Sequence, residues 1–295
     1  MRKKLLRAAL VAATAILPSI GAFAGELDLS GAATSGSLVG DVGGTALFSE
    51  IASHPAGTGV FDPFLTINSH GNDPIESGYN TDGHTALYLS QQRPEWNNLL
   101  RVGDLAQITI GNVNYFGFEL DSNEPNGSEK DGSAKSLISI DNIRIYTSSA
   151  DNTGAVANDE SKLENPSPLG MLRFALNDPL KNADGTYNVA NWVKLESATD
   201  GIADQQGHNG GSGFSDMIVY IPVTAFAGAS QNDFVSFYNL NGVHFNLDVA
   251  GTAAEAGFEE WRAVVPEPNT VALLSLGLVT LGFAAARRSK VAIAD

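Results

Sequence analysis

The sequence predicts an all-β protein, an antiparallel β-sandwich or jelly-roll-like domain, flanked by an N-terminal signal peptide and one C-terminal transmembrane helix. Three observations predict it. Short apolar runs alternate with polar residues at period two, the spacing that puts every second side chain on one face of a sheet. The runs are separated by turn-forming residues, with Gly alone at 31 of 295 positions and Asn, Asp, Ser and Thr abundant between them. Helical periodicity is poor outside the two chain ends, and many short strands with turn signals between them favour two packed sheets.

At the N-terminal end, Met1-Arg2-Lys3-Lys4 and Arg7 make a basic start, Leu5 to Leu17 an apolar stretch, and Ala22-Phe23-Ala24 a small-residue cleavage site. Residues 1–24 therefore read as a signal peptide, cut by signal peptidase to leave Gly25 first. Residues 25–57 are rich in Gly, Ser and Thr and are expected to form a flexible segment, with the sandwich domain over 58–264. Within that domain Phe116, Phe118 and Leu120 alternate with Gly117, Glu119 and Asp121. In the next strand, Leu137 to Tyr146, Ile138 and Ile140 have one parity and Ile143 and Ile145 the other; a β-bulge near Asp141-Asn142 would return all four to one side.

Met217 to Ile221, ended by Pro222, is a further strand, with weaker ones at Gln107 to Ile110 and Asn191 to Leu195. Phe234 to Leu240 and Val243 to Val249 flank Asn241-Gly242, a pair suited to a type I′ turn. They predict a hairpin with His244 on its wet face. Leu169 to Leu176 is the one candidate for a short helix inside the domain. Ser122 to Ala134 reads as a loop, Asp151 to Pro168 as a long surface loop, and Glu259-Glu260-Trp261 as a final edge strand or hinge.

Composition narrows the function. Residues 26–265 carry 31 acidic and 10 basic side chains, a net −21, which excludes phosphate-dominated binding to nucleic acid. There is no cysteine, so stability comes from a core or from metal. No cofactor is required by any motif. The cation the chain suits best is calcium, with Asp121, Asn123 and Glu124 at a strand end and Asp131 and Asp141 approaching from the loop and the next strand; these side chains supply the oxygens Ca²⁺ prefers, although the spacing is not that of an EF-hand.

No G-x-S-x-G elbow is present, the five histidines show no zinc spacing, and no catalytic residue is assigned. With so many carboxylates the sequence nominates no acid pair for glycoside hydrolysis. Trp96, Trp192 and Tyr79 are candidate stacking platforms for sugar.

The C-terminal end is the most specific part. Val265-Pro266-Glu267-Pro268 leads into an apolar run over 270–286, closed by Arg287, Arg288 and Lys290. At about 1.5 Å per residue the run covers about 25 Å, near the lower limit for a membrane span. The basic cluster is expected to stay cytoplasmic and the bulk of the chain outside.

The order of motif, span and basic stop over residues 265–295 resembles the PEP-CTERM sorting signal of Gram-negative bacteria. Further segments resemble those shared by many secreted proteins of that kind: Thr58 to Phe64 with Gly78 to Gly83, Tyr115 to Glu124 with Leu137 to Tyr146, Gly211 to Pro222, and Gly257 to Trp261. The resemblance implies recognition of Pro266-Glu267-Pro268 by an exosortase-type membrane protease. It implies an inner-membrane-tethered intermediate, then a place in the cell envelope or outside the cell among exopolysaccharide. The reading that follows is a non-enzymatic structural or adhesive protein of the surface or matrix. A secreted carbohydrate-active enzyme or carbohydrate-binding module is the alternative.

Overall fold

The computed structural model describes residues 25–31, 33–50, 62–69, 73–85, 89–124, 128, 135–197, 215–247, 249–254 and 257–264. Among them there is no α-helix and there are fourteen strands: β1 (Glu26–Asp28), β2 (Ser35–Gly40), β3 (Gly44–Glu50), β4 (Leu65–Ile67), β5 (Glu76–Tyr79), β6 (Leu100–Arg101), β7 (Gln107–Ile110), β8 (Val113–Asp121), β9 (Leu137–Ser148), β10 (Met171–Ala175), β11 (Trp192–Glu196), β12 (Met217–Pro222), β13 (Phe234–Asn241) and β14 (Glu259–Ala263). The first sheet has the order β2-β3-β12-β8-β14-β4, with β7 also on β8. The second has the order β1-β11-β9-β13-β5, with β10 on β9 and β6 on β13. All pairings are antiparallel except β1 with β11.

The sheets face each other across one apolar core. Phe48, Phe116, Phe118, Leu120, Val219, Ile221 and Trp261 come from the first, and Ile138, Ile140, Ile143, Ile145, Val193, Val235 and Phe237 from the second. Phe237 is the hub, with ring centroids 5.5 Å from Phe64, 5.1 Å from Phe118 and 4.9 Å from Trp261. The expected bulge in β9 is present: Leu240 pairs with Asn142 and Asn241 with Ile140, so Asp141 is the extra residue. It restores all four isoleucines to the core.

β9 is also covered on its outer side, where Tyr146 and β13's Tyr238 and Leu240 pack against Val156, Leu163, Leu169 and Leu180. The Asp151–Pro168 segment is thus a cover for the second sheet. Arg144, fully buried beneath it, donates to Tyr146 Oη at 2.8 Å, to the Asn177 carbonyl at 2.8 Å and to Asp178 at 2.7 Å. A buried guanidinium is tolerable only with such partners.

Four expectations are corrected. The segment expected to be flexible over 25–57 contains β1, β2 and β3, with Leu29, Leu38 and Phe48 in the core. Its glycines give room rather than freedom: a Cβ on Gly36 would lie 2.2 Å from the Leu27 side chain, and one on Gly40 2.6 Å from the Ala175 carbonyl oxygen. Leu169 to Leu176 forms β10, because its backbone completes the edge of β9. The hairpin after β13 does not form; residues 243–247 coil into a 3-10 turn. Asn241 stays in the strand, paired with Glu76 and Ile140, and Gly242 alone takes positive φ, at 82°. Finally, β14 is no edge or hinge but lies between β8 and β4.

The signal peptide over 1–24, the Pro266-Glu267-Pro268 motif, the 270–286 span and the basic tail lie outside the described residues, so Ala22, Ala24, Arg287, Arg288 and Lys290 have no structural account. No helix among the described residues is long and apolar enough to cross a membrane. Gly25 is described; its amide donates to Asn191 Oδ1 at 3.0 Å and its carbonyl accepts from Trp192 N at 3.1 Å.

Candidate functional site

Strand direction gives the sandwich two unlike ends. β8 and β13 run toward the end where β9, β12, β5 and β14 begin. At that end stand Glu76, Asp121, Glu124, Asp141, Asp216, Glu259 and Glu260, all buried. β14 runs the other way. Just past its end Val264 is held by two main-chain hydrogen bonds, its amide to the Gly117 carbonyl at 2.9 Å and its carbonyl from Ala106 N at 2.8 Å. Sequence number alone then puts Pro266 two residues further on, so the described part of the fold reaches to within two residues of the C-terminal motif.

A family model described as the PEP-CTERM protein-sorting motif matches residues 264–288. The chain carries a PEP-CTERM sorting signal. Such a signal marks an exported protein, sorted by exosortase, a membrane protease, through a membrane-anchored intermediate. No curated protein and no solved structure matches the chain, so the chemistry of the PEP-CTERM protein's folded domain has to be read from its own residues.

The acidic end holds two built clusters. The first lies on the outer face of the second sheet. The bulge aims Asp141, 0 % exposed, at three donors: Ser139 Oγ at 2.9 Å, Val243 N at 2.6 Å and His244 Nδ1. His244 stacks on Trp192 at 3.8 Å between centroids and an interplanar angle of 15°. Burial pushes the Asp141 carboxyl above its usual range, and the bonds from His244, Val243 and Ser139 pull it back. The chemistry of this group is that of an oriented Asp–His pair. Its visible work is to fasten the 242–254 segment over the ends of β9 and β13, a task shared by Gly242 N on the Ser139 carbonyl and Ser139 N on the Thr252 carbonyl.

The second cluster is between the sheets. Along β13 the core-facing row reads Val235, Phe237, Asn239, Asn241, and along β14 it reads Ala263, Trp261, Glu259. Both rows turn from apolar to polar toward this end. Trp261 Nε1 donates to Asn239 Oδ1 at 3.0 Å, and Asn241 Nδ2 donates to Glu76 Oε1 at 2.7 Å. Glu76 and Glu259, 2 % and 1 % exposed, are neighbours close enough to bear on each other's ionisation. Burial raises both carboxyls, Glu259 well above the ordinary range, with Glu76 and Glu124 adding like-charge repulsion on Glu259. Two buried acids in contact cannot both ionise cheaply. Asn241 Oδ1 and Glu259 Oε1 are left without a hydrogen-bond partner.

Of the five acidic-loop candidates, the four described are not gathered into one group. Asp121 shares the parity of Glu119, on the outer face of the first sheet, whereas Asp141 lies on the outer face of the second, so a sandwich about 10 Å between sheets separates them. Asn123 donates its amide to the Phe258 carbonyl at 2.6 Å. Glu124 sits close enough to raise Glu259, and its carbonyl accepts from Ser197 Oγ at 3.3 Å. Asp131 lies outside the described residues. Among the described residues no three His, Asp or Glu side chains group to hold a metal ion.

Of the aromatic candidates, Tyr79 is a core residue with its hydroxyl on the Thr153 carbonyl at 2.9 Å, and Trp192 is buried against His244. Trp96 is 37 % exposed, with the Arg93 guanidinium 5.3 Å from its ring. Sequence reading missed Glu76 and Glu259. The available signal was parity: Glu259 falls in step with Trp261 and Ala263, where an apolar residue is expected.

Proposed function

We propose that this chain is a non-enzymatic structural or adhesive protein of the cell surface or matrix. In this reading signal peptidase removes residues 1–24 and the 270–286 helix tethers the domain at the inner membrane. Exosortase then processes the chain at Pro266-Glu267-Pro268 and releases an acidic sandwich to the envelope or to exopolysaccharide outside the cell. The observation that carries the reading is how near the described fold comes to the tag in sequence: Val264 is hydrogen-bonded on both sides of its peptide, and Pro266 follows two residues later. Six residues from Val264 to Thr270 reach about 20 Å when fully extended, so the tether holds the apolar end of the sandwich near the membrane and turns the acidic end outward. The net −21 of residues 26–265 suits a protein that stays soluble and repels its own copies until a cation or a polymer bridges them.

The test is C-terminal peptide mass spectrometry on protein from the cell-envelope and culture fractions of the host. A C-terminus close to Pro266-Glu267-Pro268, with Arg287 and Arg288 missing, is the expected result. An intact Asp295 in every fraction would replace release with permanent anchoring.

A further inference from the structure

We propose that Glu76, Glu259 and Asn241 form a site for a hard divalent cation of calcium's size, set between the two sheets at the end remote from the sorting motif. Three observations lead there. The site is placed on core-facing rows, at the strand ends just beyond Phe237 and Trp261 and buried with them, so its polarity is not a surface accident. Every donor is oxygen, from two carboxylates and one amide, which selects a hard cation over zinc or copper.

The third observation is the most specific. Asn241, 0 % exposed, uses its nitrogen on Glu76 and leaves Oδ1 with no partner, and Glu259 Oε1 is likewise unmatched. Buried acceptors are rarely left so, and two on side chains joined through Glu76 describe a place where a positive charge is wanted. A divalent ion would balance both carboxylates, which burial otherwise keeps from ionising together.

Calcium fits better than magnesium. Ca²⁺ accepts six to eight oxygens in loose geometry, including bidentate carboxylates and amide carbonyls, whereas Mg²⁺ keeps several waters in a strict octahedron. Glu76 and Glu259 supply up to four oxygens and Asn241 a fifth, leaving the rest to main-chain carbonyls or water. The site differs from the acidic loop expected from sequence. It joins β5 and β13 of one sheet to β14 of the other, so an ion there would clamp the sandwich shut at its outward end. It does not depend on processing at the sorting motif.

The experiment uses the full-length chain in detergent, treated with chelator and then scanned for thermal unfolding at pH 8 in CaCl₂, in MgCl₂ and in NaCl of matched ionic strength. Calcium at a hundredfold over its Kd is expected to raise Tm by roughly 5–10 °C, with magnesium weaker and sodium inert. Terbium, a calcium stand-in, should show emission sensitised by Trp261, two residues from Glu259 on the same row. In Glu259→Gln both the calcium shift and the terbium signal should vanish, while the chelated variant melts no lower than the chelated parent because a buried repulsion has gone. An unchanged Tm in calcium, an equal shift in sodium, or a Glu259→Gln protein that keeps the calcium shift would each overturn the site.

Discussion

The two ends of the sandwich are made from the same strands and differ in what those strands turn inward. At the tether end the interior is closed by Phe116 against Phe226, ring centroids 4.9 Å apart, with Leu100 and Val235 beside them. At the far end the same rows present Asn239, Asn241, Glu76 and Glu259. One end is closed inside by apolar side chains, whose burial stabilises at roughly 25 cal/mol per Å² of apolar surface. The other is held by a chain of hydrogen bonds that is incomplete at two oxygens. The difference teaches where stability should concentrate: the apolar end buries its row completely, while the polar end leaves two buried oxygens unmatched.

If so, mutations should be harshest in the apolar part. Phe237→Ala removes the ring that touches Phe64, Phe118 and Trp261 and should lower stability by about 3–5 kcal/mol, measured by urea unfolding. A loss under about 1 kcal/mol would mean that the far end carries the fold after all.

The next effect in size sharpens what the acidic end contributes. Asp141→Ala strips Ser139, Val243 N and His244 of their shared acceptor, with Val243 N–H and the imidazole left buried. The expected loss is about 3 kcal/mol, and hydrogen exchange should show it concentrated in residues 242–254, the segment this carboxylate fastens. Loss spread evenly over both sheets would show that the bulge supports the whole sandwich.

Much of this architecture is readable in the sequence. β7, β8, β11 and β12 follow from period-two runs, and the bulge at Asp141 follows from the change of parity among four isoleucines. What escaped reading did so for physical reasons. β2 looks like linker because Gly36 and Gly40 serve close approach to Leu27 and Ala175, a fact about neighbours that local composition does not show. The Asn241-Gly242 pair has the local chemistry of a hairpin turn, but Asn241 is claimed by pairing on both sides and His244 by Asp141, so tertiary contacts override the turn. The inward acids were visible only as an exception to alternation in β14. The pairing of Glu259 with Glu76, 183 positions away, was not visible at all.

The smallest expected effect is the most informative about the comparison. With chelator present, Glu76 and Glu259 have folded-state pKa values raised above the ordinary carboxylate value of 4.5, by burial first and by each other's charge on Glu259. A raised carboxyl favours the fold fully below its unfolded pKa and loses that contribution as pH rises through the folded value. Stability should therefore decline from about pH 4.5 upward through the neutral range, in so far as this pair governs it. Glu259→Gln removes one ionisation and keeps the shape. It should flatten the decline and leave the variant more stable than the parent at pH 8, read from Tm between pH 5 and 9. Phe237→Ala should shift the whole curve down without changing its slope, since its ring packs on Phe64, Phe118 and Trp261, none of which titrates. If instead both variants keep the parent's slope, the pH dependence belongs to the surface acids, and the two ends do not differ in the way their interiors suggest.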